Sequence, residues 1–249
     1  MIRLPQGSHP RQGLGPPPWY PRASMKQAFG LWQSSVGKKV TMAISGIMLL
    51  GFVVAHLLGN FKVFSGQAEY DAYAEFLREM GSPVFGHGEL LWVMRLGLIA
   101  VVGVHILAAV QLTQMSRSAR SASYQKPRDV SLSYASRTMR WGGVIVVAFV
   151  VYHLLHLTFG TVHSEFEAGA VYRNVVSAFS QWPVALSYII AMVPLGLHIY
   201  HGAWSMTQTL GLDGPRMSAV RRGVAGVLAV GITLGNISIP LAVLAGIVG

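Results

Sequence analysis

Five runs of about 20 mainly apolar residues, at roughly 40–60, 92–112, 142–160, 185–207 and 224–247, dictate what this chain can become. Each is long enough to cross a bilayer as a helix, and inside hydrocarbon a helix satisfies every backbone N–H and C=O without outside help. With 52% hydrophobic residues, 11% charged residues and a mean hydropathy of +0.48, the expected fold is all-α, an integral membrane bundle of five helices. The net charge of +10 does not indicate nucleic acid, because the cations are split among the polar connections instead of forming one basic surface.

That split reports orientation. Six Lys/Arg precede the first run (Arg3, Arg11, Arg22, Lys26, Lys38, Lys39), six lie between the second and third (Arg117, Arg120, Lys126, Arg128, Arg137, Arg140) and three between the fourth and fifth (Arg216, Arg221, Arg222). The other connections hold only Lys62, Arg78 and Arg173. Fifteen against three places the N-terminus in the cytoplasm and, with five spans, the C-terminus outside a cell inner membrane. Residues 1–28, rich in Pro, Gly and Arg, read as a poorly ordered tail before a membrane domain over 29–249. No apolar core with a cleavage site occurs in the tail, so a cleaved signal peptide is not expected. The segment around 29–32 is expected at the interface, with Trp32 as its anchor.

Six of nine histidines fall on the first four spans: His56, His105, His153, His156, His198 and His201. His9, His87 and His163 lie in the tail or the outer connections, where a solvated imidazole is the expectation. An imidazole is costly in hydrocarbon unless its nitrogens are occupied. A hydrogen bond between helices would explain one such residue; four histidine-bearing spans in succession make that explanation weaker. At about 1.5 Å per residue, His56 and His153 sit in the outer half, roughly 25 Å and 20 Å from the charges flanking their spans, whereas His105 and His201 share a depth nearer the inner face.

Four helices thus offer two opposed pairs at two depths. Paired neutral imidazoles on facing helices are the donor set of a haem between helices, and two stacked haems make an electron path. Zinc would want three or four ligands at one depth. A proton-relay transporter would call for buried carboxylates, yet no Asp or Glu occurs inside a span. Without cysteine, neither thiolate-held clusters nor thioether-linked haem is available. Two spans carry His-x-x-His, and depth does not choose within either pair. Ser45 and Gly142, each eleven residues before a candidate ligand, put small side chains on the ligand face where a flat macrocycle would need room. The fifth span, lacking histidine, reads as a packing helix.

These residues resemble the single-chain cytochrome b558 membrane anchor of succinate dehydrogenase and fumarate reductase. The similarity covers about 29–247. It is carried by Ser45-Gly46 with Ala55-His56-Leu-Leu-Gly-Asn60, by Phe61-Lys-Val-Phe-Ser-Gly66 and Tyr70-Asp-Ala-Tyr-Ala-Glu-Phe-Leu77, and by Val104-His105-Ile-Leu-Ala-Ala109. Tyr152-His-Leu-Leu-His-Leu-Thr-Phe-Gly160 and His198-Ile-Tyr-His-Gly-Ala-Trp-Ser-Met-Thr-Gln-Thr-Leu-Gly211 complete it, the last being the most distinctive.

The resemblance implies haem sites between the first four transmembrane helices: two b haems, the outer iron held by His56 and His153 and the inner by His105 and His201, with His198 the alternative on that span. It implies a flavoprotein with FAD and an iron–sulfur subunit docked on the cytoplasmic face, possible higher oligomers of that complex, and electrons passed from the clusters through the haems to a quinone, typically menaquinone. Quinone reduction needs proton donors. Glu75 is the first candidate among Tyr70, Asp71, Tyr73, Glu75 and Glu79, although an amphipathic surface helix with its acids in water is the plain alternative. Arg95 is a candidate for a haem propionate or for snorkelling to the interface. The competing expectations are a cytochrome b subunit of a hydrogenase or formate dehydrogenase, which leaves the Tyr70–Leu77 and His-Gly-Ala-Trp-Ser segments unexplained, and a haemless structural anchor.

Overall fold

A computed structural model describes residue 30 and residues 32–119, 130–212, 214 and 217–249, with the side chains of 130–137 excepted. The tail over 1–28 and His9, positions 29 and 31 of the interfacial segment, and Arg120, Lys126, Arg128, Arg137 and Arg216 lie outside the described residues or side chains. Every regular element described is helical. Five helices are long and apolar enough to cross a membrane, so the chain reads as a multi-pass membrane protein.

Helix α1 spans Ser35–Asn60 and runs on through a tight turn at Phe61–Ser65. Ser34 starts it by accepting the Gly37 N–H at 2.9 Å, satisfying one of the orphan donors of a helix start. A short helix α2 (Gln67–Glu79) follows, then α3 (Glu89–Ser118) and α4 (Val130–His153), which widens into a π turn over Leu154–Thr158. The chain continues through α5 (Val171–Ser180), α6 (Trp182–Thr209) and α7 (Met217–Leu244). The spanning helices overrun the apolar runs, most at α4, because a helix continues into the interface where polar residues no longer cost.

Close packing joins α3 to α1, α1 to α6 and α6 to α4, while α7 lies mainly against α6. The first four spanning helices therefore form a four-cornered bundle whose diagonals are α1 with α4 and α3 with α6; neither diagonal pair is among the closely packed ones. Only 6% of the apolar window of α3 and of α4 is buried, against 28% for α6 and 33% for α7, so the bundle is least closed where α3 and α4 meet.

The two non-spanning helices cover the end opposite the N-terminus. Helix α5, absent from the sequence reading, buries Asn174, Val175, Ala178 and Phe179 on one stripe. It packs in a cluster with Val63, Tyr70, Tyr188 and the Ile239–Val243 part of α7. Asp71 of α2 accepts the Tyr172 N–H in the first turn of α5 at 3.0 Å, a carboxylate at the favourable end of a helix dipole. Tyr70 donates to Asn60 Oδ1 at 2.8 Å, and Gly59 leaves the space that the Tyr73 ring fills.

Helices α6 and α7 approach closely because Gly196 is buried where a Cβ would run into Thr233 and lie 3.6 Å from the Ala229 carbonyl. Gly196→Leu is therefore expected to cost about 1–3 kcal/mol through overpacking. Gly231→Ala, with nothing within 4 Å of the added carbon, should be neutral or mildly stabilising. Thermal unfolding of the two variants in detergent checks the difference.

Candidate functional site: two histidine pairs across the bundle diagonals

The histidines meet along the diagonals. His56 of α1 and His153 of α4 place their ring centroids 5.8 Å apart with planes at 87°. The His56 ring is braced by Phe52, one turn earlier, stacked at 5.4 Å, and His153 by Phe149 and Tyr188, each at 6.0 Å. On the other diagonal His105 of α3 faces His198 of α6, centroids 6.3 Å apart and planes at 69°.

Ser45 fixes the second pair. Its hydroxyl donates to the Thr41 carbonyl at 2.8 Å, which leaves its oxygen to accept from His105 Nδ1 at 3.0 Å. That assigns the His105 proton to Nδ1 and leaves Nε2 with a lone pair, the orientation that a second hydrogen bond gives a metal-ligating imidazole. Ser45 lies eleven residues before His56 on α1, so the two pairs are separated by roughly 16 Å along the bundle.

Residues without bulk stand against the same rings. A Cβ at Gly46 would come 3.6 Å from His105 Cε1, and one at Gly143 would come 3.7 Å from His198 Cε1. Gly142, the small residue singled out by spacing, points instead toward the Pro194 carbonyl, at 3.9 Å. His198 Nδ1 is buried without a hydrogen-bond partner.

These observations test the fit of a haem at each pair. Two metal–nitrogen bonds of about 2 Å, extended to the ring centres, put the centroids of coaxial imidazoles roughly 6 Å apart, which both pairs match. The rings meet across helices that are not closely packed, the bundle is open at α3 and α4, and an orphaned imidazole nitrogen remains. No cluster of three or more His, Asp or Glu suited to a bare metal ion occurs among the described residues. Each pair is a donor set that could hold one group between its two rings.

The remaining histidines are placed differently. His201 rests its ring on Tyr200 at 5.3 Å, whereas the ring facing His105 belongs to His198. His156 is 2% exposed; it hydrogen-bonds Tyr188 Oη through Nδ1 at 3.0 Å and is sandwiched between Tyr152 and His163. The π turn explains the divergence from His153. Each residue of such a turn advances by less than the 100° or so of an α-helix, so three residues fall further short of a full circle and His156 swings away.

His163 corrects an expectation. It is not a solvated loop residue but is buried, stacked on His156 at 4.7 Å and bonded through Nε2 to Ser177 Oγ of α5 at 3.0 Å. The physical reason is α5, which folds back over the π turn and closes off the connection. His87 is exposed, with its Nε2 against Glu75 Oε1 at 2.8 Å. Neither the His163 stack nor the Tyr188 contact had a signal in the sequence, since both join residues of unrelated period.

Glu75 lies on the exposed face of α2, bonded also to Arg78 at 2.7 Å. Arg95 places its guanidinium over the Trp92 ring, 4.9 Å from its centre. Burial, with Asp71 and Tyr73 adding to it, pushes the Tyr70 hydroxyl up to about 12, so it stays a hydrogen-bond donor to Asn60 throughout the neutral range.

The His87 and Arg78 hydrogen bonds hold the Glu75 carboxyl below its ordinary value. A depressed acid contributes stability above its unfolded pKa and loses it as pH falls through the folded one. His87→Ala should therefore move the Glu75 titration to higher pH, read from its carboxylate infrared band in isotope-edited samples. No family model, curated protein or solved structure matches the chain.

Proposed function

We propose that this chain is the membrane anchor and cytochrome b subunit of a succinate:quinone oxidoreductase, with two b haems between its first four spanning helices. The single observation that carries the reading is the meeting of histidines from four helices as two pairs, each across a bundle diagonal and at its own depth. The sequence resemblance supplies the identity of the complex; the geometry supports only the part played by this chain.

In this reading His56 and His153 hold the outer haem and His105 and His198 the inner one. His198 replaces His201 in the ligand set because its ring is the one opposite His105 and its Nδ1 has no other partner. His156 serves the fold: its ring is covered on both faces and its Nδ1 is already bonded to Tyr188. Each haem, when bound, supplies a one-electron carrier. The protein holds the imidazoles in one orientation, through Ser45 at His105 and through ring packing at His56 and His153, and its apolar wall excludes water.

Orientation follows from charge, with the N-terminal end cytoplasmic. There the basic connections would meet an iron–sulfur subunit and its FAD-bearing partner, which carry the succinate chemistry. A quinone, menaquinone in the typical case, would be reduced near the outer pair, where α2 presents Glu75 and Arg78 at the membrane edge. Arg95, near the outer end of α3 with its guanidinium over the Trp92 ring, is the candidate cation for an outer haem propionate.

Purified protein assayed as the pyridine haemochrome is expected to hold two b haems per chain. His153→Ala and His198→Ala should each retain one, and His156→Ala and His201→Ala should retain both. Loss with His156→Ala or His201→Ala instead would transfer the ligand role to that residue, and a wild-type chain without haem would leave only a structural anchor.

A further inference from the structure

Lys38 is the buried charge that this function does not use. It is 8% exposed near the start of α1, where its ammonium donates to the Trp32 carbonyl at 2.9 Å and lies 5.2 Å from the centre of the Trp32 ring. Both partners are neutral, and none of the ion pairs formed among the described residues includes Lys38. The described carboxylates, between Glu69 and Glu89 and at Glu165 and Glu167, all belong to the opposite end of the bundle. At its own end Lys39, Arg117, Arg140 and Arg222 add charge of the same sign. An ammonium withdrawn from water calls for an anion, and the described chain supplies none near it.

A groove of about 400 Å³ opens beside it, lined by Gln33, Lys38, Gln111, Gln114, Met115 and Ser118. It faces the bilayer and not the bundle interior. Gln111, Gln114 and Ser118 lie six, nine and thirteen residues beyond His105, which turns them roughly 120–180° around α3 from that ring. Gln114 and Ser118 are exposed, as is Trp32 next to the ammonium. Most of the wall that an entering molecule would meet is apolar, although every lining residue except Met115 brings a polar group to it. An open, mainly apolar groove around one buried cation suits an amphiphile better than a free ion.

Depth says which part of an amphiphile each residue meets. Lys38 lies three residues into α1 from Ser35, roughly 5 Å from the helix end, and Ser118 ends α3. The polar layer of a leaflet is about 5–8 Å deep, so the ammonium stands at the level of lipid phosphates. Gln111 lies seven residues before Ser118, roughly 10 Å deeper, at the level of glycerol esters. Its side-chain oxygen is buried without a partner, and a half-turn of the amide presents the NH2 group to an ester carbonyl. The lining has no carboxylate to receive a choline or ethanolamine cation, and Lys39 and Arg117 nearby repel one, so the headgroup must be net negative. By the charge asymmetry this is the cytoplasmic leaflet, where basic pockets between spanning helices bind acidic headgroups.

We propose that the Lys38 groove binds one anionic glycerophospholipid of the cytoplasmic leaflet. The Lys38 ammonium is the counter-ion of its phosphate, with the Gln114 amide and the Ser118 hydroxyl as further donors. The Gln111 amide meets an ester carbonyl, and an acyl chain follows the apolar wall. Bound in this way the lipid ties the start of α1 to the end of α3. A protein docked on the cytoplasmic face would approach along the bundle axis, whereas this groove opens sideways. Free phosphate, the other source of the same oxyanion, would leave the apolar wall uncovered.

The experiment takes the full-length protein, delipidated in detergent, and adds phosphatidylglycerol or phosphatidylcholine under native mass spectrometry. The wild type should hold one phosphatidylglycerol that phosphatidylcholine does not displace, and only the former should raise the thermal unfolding temperature. Lys38→Met should weaken that one adduct about five-fold or more, the effect of one cation beside an anionic headgroup, and Lys38→Arg should retain it. Gln111→Leu should weaken it too, and decides the matter if Lys38→Met does not fold. Lys39→Met removes the same charge from an exposed neighbour outside the groove and should leave the adduct unchanged. Equal binding of phosphatidylcholine, displacement by inorganic phosphate, or wild-type affinity in both Lys38→Met and Gln111→Leu overturns the proposal. So does an equal loss with Lys39→Met, which would reduce the binding to general surface charge. Haem content enters none of these readouts, so the outcome is separate from that of the haemochrome assay.

Discussion

The cost of an imidazole in hydrocarbon organises this molecule. Six histidines lie in or at the edge of the spanning helices, and each must put its nitrogens somewhere. His156 does so within the protein, through the Tyr188 hydroxyl and two flanking rings. His105 does so through Nδ1, against the Ser45 hydroxyl. His56, His153 and His198 turn their rings toward another imidazole across helices that are not closely packed.

The packing of the bundle follows from the same need. Three of its four sides are closely packed, and the fourth, between α3 and α4, is not. Glycines at 46 and 143 thin the walls next to His105 and His198, while the close contact of α6 with α7 through Gly196 supplies stability away from the histidine pairs. The fifth spanning helix thus packs against the outside of α6 and leaves the interior free. At the far end, α2 and α5 cap the bundle through Tyr70, Asp71 and the Phe179 cluster, and so bury His163 beside the π turn.

Much of this was legible in the residues alone. Hydropathy located all five spanning helices, because a run of about 20 apolar residues has few other fates. Counting residues from the flanking charges separated the histidines into two depths, since helical rise is constant. The special role of Ser45 was also visible, although as a small residue and not as the hydrogen-bond partner of His105. Helix α5 escaped notice because its ten residues carry a narrow apolar stripe and a polar remainder, a pattern that a connection of mixed composition conceals.

What the sequence by itself determined is the set of helices, the charge asymmetry at their ends and the presence of histidine at two levels on four of them. These depend on length, composition and rise, all properties of single helices in isolation. Only the tertiary structure decided which ring of each His-x-x-His faces across the bundle: His153, because a π turn rotates His156 toward Tyr188, and His198, because the diagonal from α3 meets α6 at that residue. Three residues of spacing leave both rings of such a pair within reach of one face, so the choice waits on how neighbouring helices pack and where a turn widens.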